Sequence, residues 1–416
     1  MRLYEYLNKL QTSFKLPLVI SSAFILIAEI LKIISNYVTL QSSTVLDNFS
    51  TVLCSLIGYV FCYFLTISFV SGRGEVEAFW SVLCYAIFNT AVGYHYFENS
   101  IFFAGLLISL FCVFCFKRFN KYISLVITLC TSILFGLVMS YFIDYWQNFI
   151  MWVSKFISPA NYGSVIIFSV IDTFLSLFKI DTLKEMIFYK SYGGALLYNG
   201  DLITGTKDLF ANGYNGTYVS AFLSGHYFLA FAIIGIAFAL FYDLKGFQKY
   251  VLLVVTACSV LSGNFTLILI FLFIECPFLF LSVILLSGLS YLTAFIIDLK
   301  MGYQLNGGII EMLINFNNGV YLIAGGVVFI AIGYFVYKFI YEKHGISSCV
   351  KIYIPTGLTS FVEALGGIKN IVRFRDNDLQ VRNPKLVNTV MIDCEINENI
   401  IISKDERFLK LMEYLQ

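Results

Sequence analysis

Seven polar side chains stand in or beside strongly apolar stretches of this chain: Asp181, Asp201, His226, Asn264, Thr266, Glu275 and Asn306. A polar or ionisable group at membrane depth is costly, so such residues line cavities, pair with one another or serve a substrate path. They offer hydrogen-bond donors and acceptors. No catalytic residue, metal-ligand set or cofactor site is assigned among them. Glu275 is flanked by apolar residues on both sides. Two readings stay open for it, contact with a substrate and a structural pair or helix-end position. His226 is read either as a functional group or as a satisfied interhelical histidine.

The elements that must position these residues are organised around the stretch from Val260 to Phe316. A small-residue break, Ser262-Gly263-Asn264, opens it, and a very apolar run follows, interrupted by Glu275 and Pro277. A second helix-like run reaches Ile297, a polar segment spans Asp298 to Gly308, and a short amphipathic piece ends at Phe316. Apolar runs broken by Gly, Asn and Pro at membrane depth are how transporters build sites from discontinuous helices and re-entrant hairpins.

Composition sets the class. The chain of 416 residues is 59% hydrophobic and 18% aromatic, with 13% charged residues and a mean hydropathy of +0.82. Soluble domains average about 45–50% apolar and about 25% charged residues, so an integral membrane protein is expected. A net charge of +1 gives no sign of a nucleic-acid partner. Ten cysteines, most of them inside apolar runs, read as small buried hydrophobes rather than a disulfide or zinc framework. No cleavable signal is expected, because Met1 to Lys15 is polar.

Taken in order, Leu3 to Lys15 has helical apolar spacing and suits an amphipathic helix on the cytoplasmic membrane surface. Leu16 to Ile34 supplies a first span, for which roughly 20 apolar residues are needed. Glu29 and Lys32 share one face of it, and a local ion pair is preferred over an ion-coupling site. Further apolar runs at 49–71, 77–94, 101–116, 121–143 and 149–178 predict additional spans. The Gly- and Asn-rich stretch from Gly205 to Gly216 predicts a loop or hairpin tip. Positive charges at Arg73 and at Lys117, Arg118 and Lys121 place those loops, and both termini, in the cytoplasm, with His95 to Glu98 outside.

The core stretch resembles the membrane permease of the bacterial sugar phosphotransferase system, enzyme IIC of the glucose superfamily. Val260-Leu261-Ser262-Gly263, Ile274 to Phe280, Leu286-Ser287-Gly288-Leu289-Ser290 and Gln304 to Met312 fall in the order of that family's motifs. Asn264 to Leu269 replaces the family's ITEPIE, so both of its acids are absent. By this alignment Asn264 and Thr266 stand at sugar-binding positions. Asp181 and Thr182 replace the family's HH pair, and Tyr198-Asn199-Gly200-Asp201-Leu202 is similar to its FHGDI. Asp181 in place of His can accept from a sugar hydroxyl but cannot donate at neutral pH.

After Lys343 the composition turns soluble, and Glu363 to Val372 resembles the start of the small enzyme IIB domain. The cysteine phosphoryl carrier expected next is absent, and Cys394 falls in a later strand segment where no phosphoryl acceptor belongs. The resemblance thus implies a polytopic all-α membrane protein of about ten transmembrane helices with re-entrant hairpins. The permease domain is placed at residues 1–345 and a reduced, vestigial IIB-like α/β tail at 346–416. It also implies a bacterial cell-membrane location, membrane lipid as surroundings and a homodimer. The substrate implied is a sugar of the glucose, N-acetylglucosamine or maltose type. Phosphoryl donation would fall to separate IIB and IIA carrier proteins or be lost. The alternatives are a membrane sensor or binding protein derived from the family, and an unrelated channel or membrane enzyme.

Overall fold

Apolar runs become long helices here, and several helix boundaries fall at glycine or proline, as at Gly263 and Pro277. The computed structural model describes residues 2–344 apart from 39, 71–73, 93–100, 199–200, 215, 245 and 315–318. In the tail it describes 359–366, 370–375, 378–381, 383–384, 387–388, 394–397 and 400–403. The topological signals at Arg73 and at His95 to Glu98, and part of the Glu363 to Val372 match, lie outside the described residues. Arg2–Ile346 and Ser347–Gln416 form separate compact units.

The N-terminal half consists of α1 (Arg2–Ser35), α2 (Leu40–Phe69), α3 (Glu75–Val92), α4 (Ile101–Arg118) and α5 (Lys121–Ile157). Two of these are longer than the sequence suggests. The surface helix expected over Leu3 to Lys15 runs without interruption into the first span, with Pro17 inside it. The runs expected at 121–143 and 149–178 are joined differently. The polar residues Asp144 to Asn148 contain no breaker, so α5 continues to Ile157 and the chain turns at Ser158-Pro159-Ala160 instead. Ala160 takes φ 49°, and Asn161 opens α6 (Tyr162–Ser176) with a capping box shared with Ser164.

The second half holds α7 (Thr182–Tyr189), a hairpin of β1 (Ala195–Tyr198) and β2 (Asp201–Thr204), α8 (Thr206–Ala211) and α9 (Thr217–Phe222). It continues through α10 (Gly225–Asp243), α11 (Phe247–Ser262), α12 (Thr266–Glu275), α13 (Pro277–Ile296), α14 (Ile309–Ile314) and α15 (Gly319–His344). The stretch expected to be a loop from Gly205 thus contains one short helix. The hairpin pairs antiparallel from Ala195↔Thr204 to Tyr198↔Asp201, across the Asn-Gly dipeptide that favours a two-residue turn.

Among the described residues six helical segments are long and apolar enough to cross a membrane: Ser13–Ser35, Ser42–Phe69, Lys121–Ile157, Thr217–Asp243, Pro277–Ile296 and Val320–Ile340. Shorter apolar helices add Tyr162–Ser176, Phe247–Ser262 and Thr266–Glu275. The chain is an all-α polytopic membrane protein. In the Thr217–Asp243 segment 83% of the most apolar 18-residue window is buried, against 22% for Lys121–Ile157, so α10 is the central post and α5 is peripheral. α10 packs on α13, α15 and α11, α6 on α13, and α1 on α2 and α11. Of the described cysteines, Cys62, Cys84, Cys112, Cys115, Cys258 and Cys276 are buried.

In the tail unit, α16 (Thr359–Ala364) precedes four short strands, β3 (Ile371–Arg375), β4 (Asp378–Val381), β5 (Cys394–Asn397) and β6 (Ile400–Ser403). They form one antiparallel sheet in the order β3-β4-β6-β5. Cys394 begins β5, opposite Ser403.

Candidate functional site

The break between α11 and α12 is built by three small residues. Ser262 ends α11, Gly263 takes φ 75°, and the Asn264 side chain accepts from Thr266 N at 3.2 Å just ahead of α12, whose N-cap residue is Phe265. The backbone of 306–308 lies directly on this break. A Cβ on Gly308 would come 2.0 Å from Leu261 O, and one on Gly263 would come 2.3 Å from Asn306 O. Only glycines allow the two irregular segments to touch.

The 304–308 segment is tied down from three sides. Glu311, in the first turn of α14, reaches back so that Oε1 accepts from Leu305 N at 2.9 Å and from Gln304 N. Its Oε2 accepts from Gly307 N at 3.0 Å. Lys207 Nζ donates to Leu305 O, and Asn306 Nδ2 donates to Glu29 Oε2 on α1 at 2.5 Å.

A cavity of about 340 Å³ opens beside this junction. Its walls include His226, Gly263, Asn264, Phe265, Thr266, Tyr303 and Asn306, together with Asp172, Lys179, Asp181 and Lys184. The volume suits a small polar ligand. His226 Nε2 lies 2.9 Å from Gly263 O. A carbonyl can only accept, so Nε2 carries the proton and Nδ1 is left as an acceptor. The imidazole stacks on Phe265 at 4.3 Å and 15°.

Four of the lining residues form ion pairs. Lys179 pairs with Asp181 at 2.7 Å, and Lys184 with Asp172 at 3.3 Å. Burial would raise the Asp181 carboxyl, but Lys179 and Lys184 overcome it and hold the group below the ordinary carboxylate value. Lys207 also lines the cavity, with its ammonium 4.9 Å from the Phe188 ring and 5.1 Å from the Tyr303 ring. Burial pulls this ammonium down to about 8, with Glu311 acting in the opposite sense.

Of the seven sequence candidates, Asp181, His226, Asn264, Thr266 and Asn306 line this one cavity. Glu275 is buried at the last position of α12, away from the lining residues. Asp201 is the first residue of β2. Asp172, Lys179, Lys184, Lys207, Tyr303 and Glu311 were not among the candidates. Glu29 was noted, but it bonds Asn306 rather than Lys32. The reason is geometric. The Asn306 amide is held on α1 by the Gly-Gly turn, 277 residues away in sequence, where no local spacing rule reaches. Glu311 carried a readable signal, an acid in the first turn of a helix directly after Gly307-Gly308.

No protein-family model matches the chain. A PTS system glucoside-specific EIICBA component of Staphylococcus carnosus (strain TM300) is 24% identical over 270 residues, covering 58% of this chain and 39% of that protein. The chain therefore spans about two fifths of the length of this relative. The likeness is thus to a phosphotransferase-system protein, and the apolar helices mark a membrane protein.

Proposed function

We propose that this chain is the sugar-translocating, enzyme IIC-like component of a phosphotransferase-type system, taking a glucoside or a related sugar into a bacterial cell. The observation that carries this reading is the polar cavity at the α11–α12 break, set among apolar helices. A sugar there meets His226 Nδ1 as acceptor, the Asn264 amide and Thr266 hydroxyl as hydrogen-bonding groups, and the Phe265 and Tyr303 rings for its C–H faces.

Residues 1–345 are the permease domain in this reading, and 346–416 a reduced IIB-like tail. Both termini lie in the cytoplasm, and two copies form a homodimer. Cys394 is not a phosphoryl carrier, so donors for phosphorylation are separate IIB and IIA proteins, or transport proceeds without phosphorylation. A second reading, a membrane sensor or binding protein, is favoured by the pairing of Asp172 and Asp181 with lysines, which occupies two carboxylates otherwise open to sugar hydroxyls.

Uptake of labelled methyl glucoside into proteoliposomes, with and without phosphoenolpyruvate and the soluble phosphocarriers, tests the proposal. Uptake in either condition is expected. Binding without uptake in both conditions favours the sensor, and neither binding nor uptake of any sugar tried defeats both readings.

A further inference from the structure

Glu29 lies in the span Ser13–Ser35 with 3% of its surface exposed. Asn306 donates to Oε2, whereas Oε1 is buried and, among the described residues, no group hydrogen-bonds to it. Among the described residues no lysine or arginine forms an ion pair with this carboxylate. The charged groups nearest it are Lys32 on its own helix, Lys207 on α8 and Glu311 on α14, and α2 adds the Cys54 thiol. The other helices packed on α1 are α11, whose titratable residues are Lys249, Tyr250 and Cys258, and α12, which ends on Glu275. A carboxylate with one oxygen unsatisfied in a low-dielectric setting is costly, and gaining a proton removes the charge that makes it so.

The partner is suited to both states. A side-chain amide has a donating and an accepting end. Its Nδ2 serves the carboxylate, and after the amide turns over, its Oδ1 accepts from the carboxylic acid. We propose that Glu29 and Asn306 form a proton-binding latch between α1 and the cavity-lining loop. The step is a simple one: the carboxylate takes one proton from water to give the acid O–H, and the hydrogen bond to Asn306 reverses direction. Asn306 also lines the cavity, so a ligand that engages its amide changes the proton affinity of Glu29, and the proton changes ligand affinity by the same factor. Proton binding stands by itself, while its coupling to a sugar rests on the proposed function.

The test uses the full-length protein in phosphatidylcholine liposomes and dicyclohexylcarbodiimide, which modifies protonated carboxyls in apolar surroundings. Peptide mass spectrometry follows the adduct on Glu29 from mildly acidic to mildly alkaline pH. Modification at acidic pH that falls several-fold as pH rises is expected. In Asn306→Ala, which removes the donor to the carboxylate, the fall should move to higher pH. Absence of the Glu29 adduct at every pH, a pH-independent adduct, or suppression by sodium ions instead of by alkaline pH overturns the latch. In parallel, an acid-outside pH step should increase methyl glucoside uptake several-fold in wild type and not in Glu29→Gln. An absent pH response of uptake defeats the coupling. Absent glucoside binding defeats the sugar reading instead, and the adduct profile still decides the proton site.

Discussion

Lys207 shows how much a single buried side chain can report about this site. Its ammonium is enclosed by Phe188, Tyr189 and Tyr303 and donates to Leu305 O. Burial brings it down to about 8, whereas an unfolded lysine keeps its proton to about 10.4. Between these values the unfolded chain holds more protons, so stability rises with pH in that window. Below it the penalty of the buried charge is fully present. Melting of the purified protein in nanodiscs should therefore show a rise in apparent Tm from about pH 8 upward that Lys207→Met lacks. Parallel pH curves for the two proteins would mean that Lys207 is hydrated and unperturbed. Lys207 does not stand out in the sequence, because it acts on the backbone of a loop, and a lysine in a short polar segment reads as solvated.

At the scale of elements, what could be read from the sequence was local chemistry. Ser262-Gly263-Asn264 breaks the helix because Gly263 takes positive φ at the end of α11 and the Asn264 side chain accepts from the backbone of Thr266 two residues on. Pro277 starts α13 because its missing N–H is harmless in the first turn. The fusion of residues 121–157 into one helix was not legible. The polar residues there suggest a loop, yet none of them forbids helical backbone. The touching of the 304–308 loop on the α11–α12 break was equally hidden, since it depends on tertiary packing. That packing gives a sharp expectation. Gly308→Ala places a methyl 2.0 Å from Leu261 O, where backbone must move, and should cost about 1–3 kcal/mol. Gly213→Ala, at φ 82° but with nothing within 4 Å of its Cβ, should cost about 1 kcal/mol through backbone strain alone. Thermal melting of both variants should order them so, and ligand affinity should fall only in Gly308→Ala. Equal losses would show that the two segments are not held in contact.

The whole molecule combines an apolar helical unit with a small tail sheet. Membrane class was legible from composition, and the order of the helices in the second half followed from its breakers. The joining of Glu29 to Asn306, which links the first helix to the last third of the unit, was not, because it spans nearly the whole membrane unit in sequence. For the tail, the account expects Cys394→Ser to leave sugar uptake within about twofold of wild type, a change too small to signal a lost catalytic step. Mass spectrometry of the working system should find no phosphocysteine at 394, and finding one would make the tail a functioning carrier. The central claim is that the cavity at the α11–α12 break holds the sugar. Calorimetric titration of methyl glucoside into the purified protein tests it most directly, using wild type, His226→Gln and Glu275→Gln at matched thermal stability. His226→Gln should weaken binding by roughly tenfold, the worth of about one well-placed hydrogen bond. Glu275→Gln, outside the cavity, should bind as wild type does. Unchanged affinity in His226→Gln together with loss in Glu275→Gln would place the sugar elsewhere and contradict the account.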